Sequence, residues 1–77
     1  MRKYSIGNRL FYHKLKQYIK EYGEDTTYIQ LMIYMELNTT EEVRYHLKKL
    51  KKNNILNYRT ETRLYIDMKE WIIWTMN

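Results

Sequence analysis

Apolar positions recur at helical spacing in the first third of the chain. One helical face is formed by Phe11, Leu15, Tyr18, Ile19 and Tyr22. Their i, i+4, i+7 pattern predicts an amphipathic helix from about Asn8 to Tyr22. Gly23 follows, and glycine readily adopts the left-handed conformation that ends many helices.

A second helix is predicted from Thr26 or Thr27 through the sequence TYIQLMIYME. Both threonines are suitable N-caps. The segment is apolar on nearly every side, which is typical of a helix packed between other elements. Its β-branched and aromatic residues also fit a strand. The polar caps at both ends favour the helix.

The third helix is the most clearly marked element. Thr39 and Glu42 have the spacing of a capping box. The apolar face consists of Val43, Leu47 and Leu50. We predict one helix over residues 40–53, ending where Asn54 tolerates a left-handed conformation. Only residues 37 and 38 separate it from the second helix, which is the short connection of a helix-turn-helix.

Beyond the third helix, the period of apolar positions changes to two. The segments 55–59 (ILNYR) and 63–67 (RLYID) alternate as the strands of a half-buried hairpin do, with a turn at residues 60–62. Asp67 and Glu70 suit the start of a short terminal helix. This order predicts a single domain over residues 1–77, mainly α with a small β-hairpin. It is a winged helix-turn-helix: three helices, a two-stranded wing and a short C-terminal segment.

Composition narrows the range of partners. The 77 residues include 14 Lys and Arg against 9 Asp and Glu, a net charge of +5, and no cysteine. A basic domain suits a polyanionic partner. No stretch approaches the roughly 20 apolar residues of a membrane span, and the start lacks the apolar run of a signal peptide. We therefore expect a cytoplasmic protein with no membrane partner.

The sequence offers little for catalysis. His13 and His46 are the only histidines, and they lack metal-ligand spacing. No glycine-rich phosphate loop is present. The pair Glu24 and Asp25 is more typical of a loop and cap than of a catalytic dyad, and we expect His46 to pack inward. We therefore expect no enzymatic activity, no cofactor, no metal and no small-molecule substrate.

The outward side of the third helix carries the candidate binding residues. Near its start these are Thr39, Thr40, Glu41, Arg44, Tyr45 and Lys48. A recognition helix presents its first residues to base edges in the major groove. Arg44 can donate two hydrogen bonds to guanine, and Tyr45 can contact thymine methyls or a phosphate. Glu41 can accept a hydrogen bond from cytosine, although an acidic first turn also complements the helix dipole.

Further cations extend this candidate surface. Lys51 and Lys52 lie two turns beyond Arg44, where they can reach phosphate or simply keep the protein soluble. Arg59 and Arg63 flank the predicted wing tip, and arginine suits a narrow minor groove. An ordinary charged helix face and an ordinary charged hairpin are the alternatives. We expect double-stranded DNA to be the partner.

Residues 11–57 resemble the DNA-binding domain of LexA-type repressors. The likeness is carried by "LKQYIKEYGEDTTYIQLMIYMELNTTEEVRYHLKKLKKNNIL", especially residues 46–50 and the exit at residues 54–55. It implies a sequence-specific transcriptional regulator. Glu36 and Asn54 stand where the family usually has glycine, and the prolines before the second helix are missing. No self-cleaving protease domain follows, so we expect a stand-alone module of a size that suits a phage or mobile-element repressor.

The C-terminal segment has two interpretations. Trp71, Ile72 and Trp74 either cover the hairpin and first helix, or form a homodimer seam within residues 67–77 that places two recognition helices on a two-fold DNA site. The sequence slightly favours the seam. A functional alternative is a protein-interaction module that inhibits a host or defence factor through its aromatic surface.

Overall fold

A computed structural model describes residues 4–68 of the chain. The elements, in order, are α1 (Asn8–Tyr22), β1 (Asp25–Thr26), α2 (Tyr28–Tyr34), α3 (Thr40–Lys52), β2 (Leu56–Thr60) and β3 (Leu64–Met68). The strands form an antiparallel sheet in the order β1-β3-β2. The fold is mainly α with a small hairpin, as the hydrophobic pattern predicts.

Local capping fixes the starts of α2 and α3. The Thr27 hydroxyl accepts a hydrogen bond from the Gln30 backbone N–H at 3.0 Å, and the Thr39 hydroxyl accepts one from that of Glu42 at 3.2 Å. Each bond satisfies an N–H that has no partner within its own helix. Both predicted helix starts are confirmed, and the competing strand at residues 28–36 is wrong.

The hairpin is present, with each strand one residue later than predicted. Thr60 pairs with Leu64, which leaves a three-residue loop closed by the Glu61 N–H donating to the Arg63 carbonyl at 2.9 Å. The predicted start of a terminal helix at Asp67 is wrong, because Asp67 lies in β3 and pairs with Asn57 of β2. Strand β1 was not predicted, since two residues are too few to show an alternating pattern.

The core lies where α1, α2, α3 and the inner face of the sheet meet. Its buried apolar residues are Phe11, Tyr12, Leu15, Tyr18, Ile19, Leu31, Met35, Leu37, Val43, Leu47, Leu50, Leu56, Leu64, Ile66 and Met68. Thr26 is also fully buried, and its hydroxyl donates to the Tyr18 hydroxyl oxygen at 2.8 Å. This bond satisfies a polar group that would be costly to bury alone.

Two predicted apolar surfaces are not covered in the described part of the chain. Tyr22, assigned to the buried face of α1, is 64% exposed. Helix α2 is not enclosed on all sides either, because Ile29 and Ile33 are 57% and 65% exposed. This short helix packs on α1 and α3 with one side only. Within residues 4–68, no helix combines the length and apolar character needed to cross a bilayer.

Candidate nucleic-acid interface

Helix α3 has a buried face and a charged outward face. The buried residues are Glu42, Val43, His46, Leu47 and Leu50. At 100° per residue, the opposite side is centred on Glu41, Lys48 and Lys52, which are all exposed. Arg44 and Lys51 lie on the flank of this face that adjoins α2 and β2. The outward face is thus open to a partner along the full length of the helix.

Within residues 4–68, no carboxylate forms an ion pair with the cations of α3. They are Arg44, Lys48, Lys49, Lys51 and Lys52. Ion pairs among residues 4–68 instead join Arg59 to Glu61 at 3.5 Å, Arg63 to Asp25, and His46 to Glu42. Between residues 43 and 52 the helix has no acidic residue. This stretch is therefore a concentrated positive surface of the kind that binds phosphates.

Arg44 is held over an aromatic ring. Its guanidinium carbon lies 4.7 Å from the centre of the Tyr28 ring, a cation–π distance. The hydroxyls of Tyr28 and Thr60 share a hydrogen bond of 3.2 Å, which links α2 to the end of β2. Lys51 lies 5.1 Å from the centre of the Tyr58 ring in the same strand. Two tyrosines thus support two of the predicted contact residues.

The sequence pattern did not mark Tyr28 and Tyr58 as part of this surface. Tyr28 is the first residue of α2 and Tyr58 is the central residue of β2. Nothing in their local sequence indicates that they lie beside α3. Their position depends on how α2 and the hairpin pack against that helix, and a sequence pattern does not encode this packing directly.

Tyr45 and Thr39 already have intramolecular partners, and Thr40 is partly covered. The ring of Tyr45 stacks on that of Tyr4, with centres 4.2 Å apart and planes 14° apart. The Thr39 hydroxyl serves as the N-cap of α3, and Thr40 is half-buried. One face of the Tyr45 ring is therefore occupied, and the two threonines chiefly shape the start of the helix.

Glu42 completes only half of the predicted capping box. Its backbone N–H donates to Thr39, but its buried carboxylate accepts from the backbone N–H groups of Ser5 and Ile6 at 2.7 and 3.1 Å. Charge-assisted bonds of this kind are stronger than neutral ones. Glu42 therefore anchors the segment before α1 to the inner edge of α3.

His46 packs inward beside Glu42, as the sequence predicts. Its ring stacks on Phe11 at 4.7 Å, and Nδ1 lies 2.5 Å from the amide oxygen of Asn8. When the neutral ring donates from Nδ1, Nε2 is the unprotonated nitrogen, and it lies 3.6 Å from the Glu42 carboxylate. Burial lowers the pKa of His46, and the nearby Glu42 carboxylate opposes this shift. The cluster joins α1 to α3 and faces away from the cationic surface.

The wing arginines are engaged within the protein. Arg59 lies 4.7 Å from the centre of the Tyr65 ring and pairs with Glu61. The Arg63 Nε–H donates to Asp25, and its Nη2 donates to Gln30 at 3.3 Å. The hydrogen bond to Asp25 raises the pKa of Arg63. Arg63 thus links the wing loop to β1 and α2, while Arg59 remains exposed.

The remaining predicted site residues lie outside residues 4–68. Trp71, Ile72 and Trp74 fall in residues 69–77, beyond the described range. Within residues 4–68, no group of three or more His, Asp or Glu side chains could hold a metal ion. No protein-family model, curated protein or solved structure matches this chain.

Proposed function

We propose that this protein is a transcriptional regulator that binds double-stranded DNA through the outward face of α3. The observation that carries the proposal is the run of five cations over residues 44–52, exposed and without carboxylate partners in the described structure. An α-helix fits the major groove of B-DNA, and unpaired cations release condensed counterions when they meet phosphates.

Within this surface, the position of a residue along the helix determines whether it contacts bases or phosphates. Arg44 lies in the second turn, where a recognition helix reaches base edges. Its stacking on Tyr28 restricts the guanidinium before DNA arrives, which reduces the entropy lost on binding. Lys51 and Lys52 lie two turns further on, where phosphate oxygens are in range. Arg59, at the exposed end of β2, supplies a further contact to the backbone or minor groove.

The proposal is tested by selecting bound fragments from random double-stranded DNA. Affinity is then measured on a selected site and on unrelated DNA across a salt series. If four or five cations each neutralise one phosphate, the slope of log K against log salt should be about −3.6 to −4.5. A selected site should bind more tightly than unrelated DNA at every salt concentration. Absence of salt-dependent DNA binding would exclude the proposal.

A second candidate function is docking to a protein partner. It is favoured by the exposed apolar side chains of Tyr22, Ile29 and Ile33, since aromatic and apolar anchors dominate many protein interfaces. A protein-docking module should show no preference between DNA sequences. Substitutions at Arg44 and Lys48 should then have little effect on binding to the protein partner.

A further inference from the structure

Three exposed apolar side chains of α1 and α2, together with one half-buried tyrosine, form one surface, here named the α1–α2 patch. Its members are Tyr22, Ile29, Ile33 and Tyr34. A groove of about 290 Å³ runs through it, lined by Tyr18, Tyr22, Gln30, Ile33 and Tyr34. Among residues 4–68, the only other large hydrophobic residue exposed to a similar degree is Leu10, in the first turn of α1. Exposed apolar surface is therefore concentrated at the patch.

Strand β3 runs toward this end of the molecule. Its pairing of Tyr65 with Asp25 continues with the Ile66 N–H donating to the Glu24 carbonyl at 3.0 Å. Glu24 is two residues beyond the end of α1, and Met68 is two residues beyond Ile66. Because β1 and β3 are antiparallel, β3 runs from this bond toward the residues that join α1 to β1. The chain therefore leaves β3 two residues beyond its bond to Glu24, near the C-terminal end of α1, where the patch begins.

Five of the nine residues that follow Met68 are apolar. Residues 69–77 have the sequence KEWIIWTMN and contain both tryptophans of the protein. We propose that this segment docks on the α1–α2 patch of the same chain, with Trp71 and Trp74 among its contacts. Of the two interpretations that the sequence leaves open for the segment, the patch favours coverage of the protein's own surface over a homodimer seam.

Two physical arguments favour docking within one chain. Nine residues can span up to roughly 30 Å when extended, so reach does not limit the segment. A short tether also gives an effective concentration in the millimolar range, which compensates for a small contact. A standard interface between two proteins needs about 20–30 residues on each side, whereas the patch has four. A second copy would need further surface that the patch does not provide.

Tryptophan fluorescence tests the proposal without DNA, so its result is independent of the proposed function. Because both tryptophans lie in residues 69–77, their emission reports only on this segment. In the intact protein, emission should lie at shorter wavelength than in the urea-unfolded chain, with reduced quenching by acrylamide. The double substitution Ile29→Ser and Ile33→Ser should shift emission to longer wavelength and increase quenching. Leu10→Ser, an exposed leucine outside the patch, is the matched control and should change neither.

A reciprocal measurement observes the patch itself. Replacing both tryptophans by alanine removes their ring currents, so the Ile33 methyl resonances should shift while those of Leu10 stay unchanged. The wild-type protein should sediment as a monomer at micromolar concentration. Unchanged emission in the isoleucine variant together with unmoved Ile33 resonances would overturn the proposal. A dimer whose tryptophan emission shifts on dilution would also overturn it, and would identify a second copy as the occupant.

Discussion

Arg44 and Arg63 carry the same guanidinium group in different surroundings. Arg63 donates to Asp25 and Gln30, so part of its hydrogen-bonding capacity is used inside the protein. Arg44 lies on the Tyr28 ring, which attracts the cation but accepts no conventional hydrogen bond from its edge. The planar fork of Arg44 therefore remains available for bidentate recognition. The intramolecular partners of the two arginines therefore favour Arg44 over Arg63 as a binding residue in the proposed function.

Arg44→Ala should therefore reduce discrimination between DNA sequences. Loss of a bidentate base contact costs about 1–3 kcal/mol and relaxes preference at one or two base pairs. The comparison is Lys52→Ala, which should weaken all sequences alike and reduce the salt slope by about one. Binding is measured on a selected site and on unrelated DNA. Unchanged specificity in Arg44→Ala would show that another residue reads the bases.

Tyr28 should affect DNA recognition through Arg44. Tyr28→Leu removes the aromatic support of the guanidinium, so we expect part of the specificity loss of Arg44→Ala. Tyr28→Phe keeps the ring and loses only the hydroxyl bond to Thr60, so it should retain most of the specificity. In the Arg44→Ala background, Tyr28→Leu should add little further loss. Independent, additive effects of the two substitutions would contradict this coupling.

His46 should make stability depend on pH. Its pKa is lowered in the folded protein, while the unfolded chain has the ordinary value near 6.5. Between these values the unfolded chain holds more protons, so the free energy of unfolding should fall as pH falls below about 6.5, by up to about 1.4 kcal/mol per pH unit. Urea unfolding between about pH 7.5 and pH 5.5 measures this dependence. His46→Gln should flatten the slope, and a slope equal to that of the wild-type protein would contradict this prediction.

At the scale of elements, the turn between α2 and α3 has a backbone conformation that its sequence does not favour. Glu36 has a φ of 58°, and the only other non-glycine residue with positive φ in the described chain is Asn54, at 62°. Asparagine tolerates this conformation better than glutamate does. The buried side chain of Leu37 follows directly and packs the turn against the core.

Glu36→Gly should stabilise the protein slightly. Relief of the left-handed conformation gains about 1–2 kcal/mol, and the greater freedom of glycine in the unfolded chain offsets about 0.5–1 kcal/mol of this. A net gain of about 0–1.5 kcal/mol should appear in urea unfolding. Glu61→Gly is the comparison, because that exposed loop position lacks a positive φ and should gain nothing. Destabilisation by Glu36→Gly would show that the glutamate side chain has a role of its own.

At the scale of the whole molecule, cations occur on two sides. Helices α1 and α3 pack together through their buried faces, so their outward faces point in different directions. Lys16 and Lys20 lie on α1, whereas Lys48 and Lys52 lie on α3. If net charge alone governed DNA binding, the two lysine pairs would contribute equally to affinity. If DNA binds specifically to α3, the pair on α3 should contribute more.

Replacing each lysine pair by glutamine distinguishes these two hypotheses, because both double substitutions change the net charge by the same amount. Lys48→Gln with Lys52→Gln should reduce the salt slope by about two, because two phosphate contacts are lost. Lys16→Gln with Lys20→Gln should change affinity only weakly through the long-range field, which salt screens. Titrations of both variants with the selected DNA across a salt series provide the measurement. Equal losses from the two pairs would indicate nonspecific attraction to the whole protein.

The sequence by itself determined the elements whose signals are local. Threonine caps and apolar residues at helical spacing predicted α3, and the same spacing placed α1 at Asn8–Tyr22. The alternating pattern predicted the hairpin to within one residue. These signals act over a few residues, because capping bonds and face periodicity involve near neighbours along the chain. The position of the positive helix followed directly from them.

Only the tertiary structure decided what each side chain contacts. It placed Tyr28 under Arg44, directed Glu42 to Ser5 and Ile6, and left Ile29 and Ile33 without cover in the described chain. The first two contacts join residues at least 16 positions apart, and the exposure of the isoleucines depends on how α2 packs on α1 and α3. Many sets of contacts between distant residues are compatible with the same local sequence pattern. The packing of the helices and the sheet around one core determines which of these contacts form.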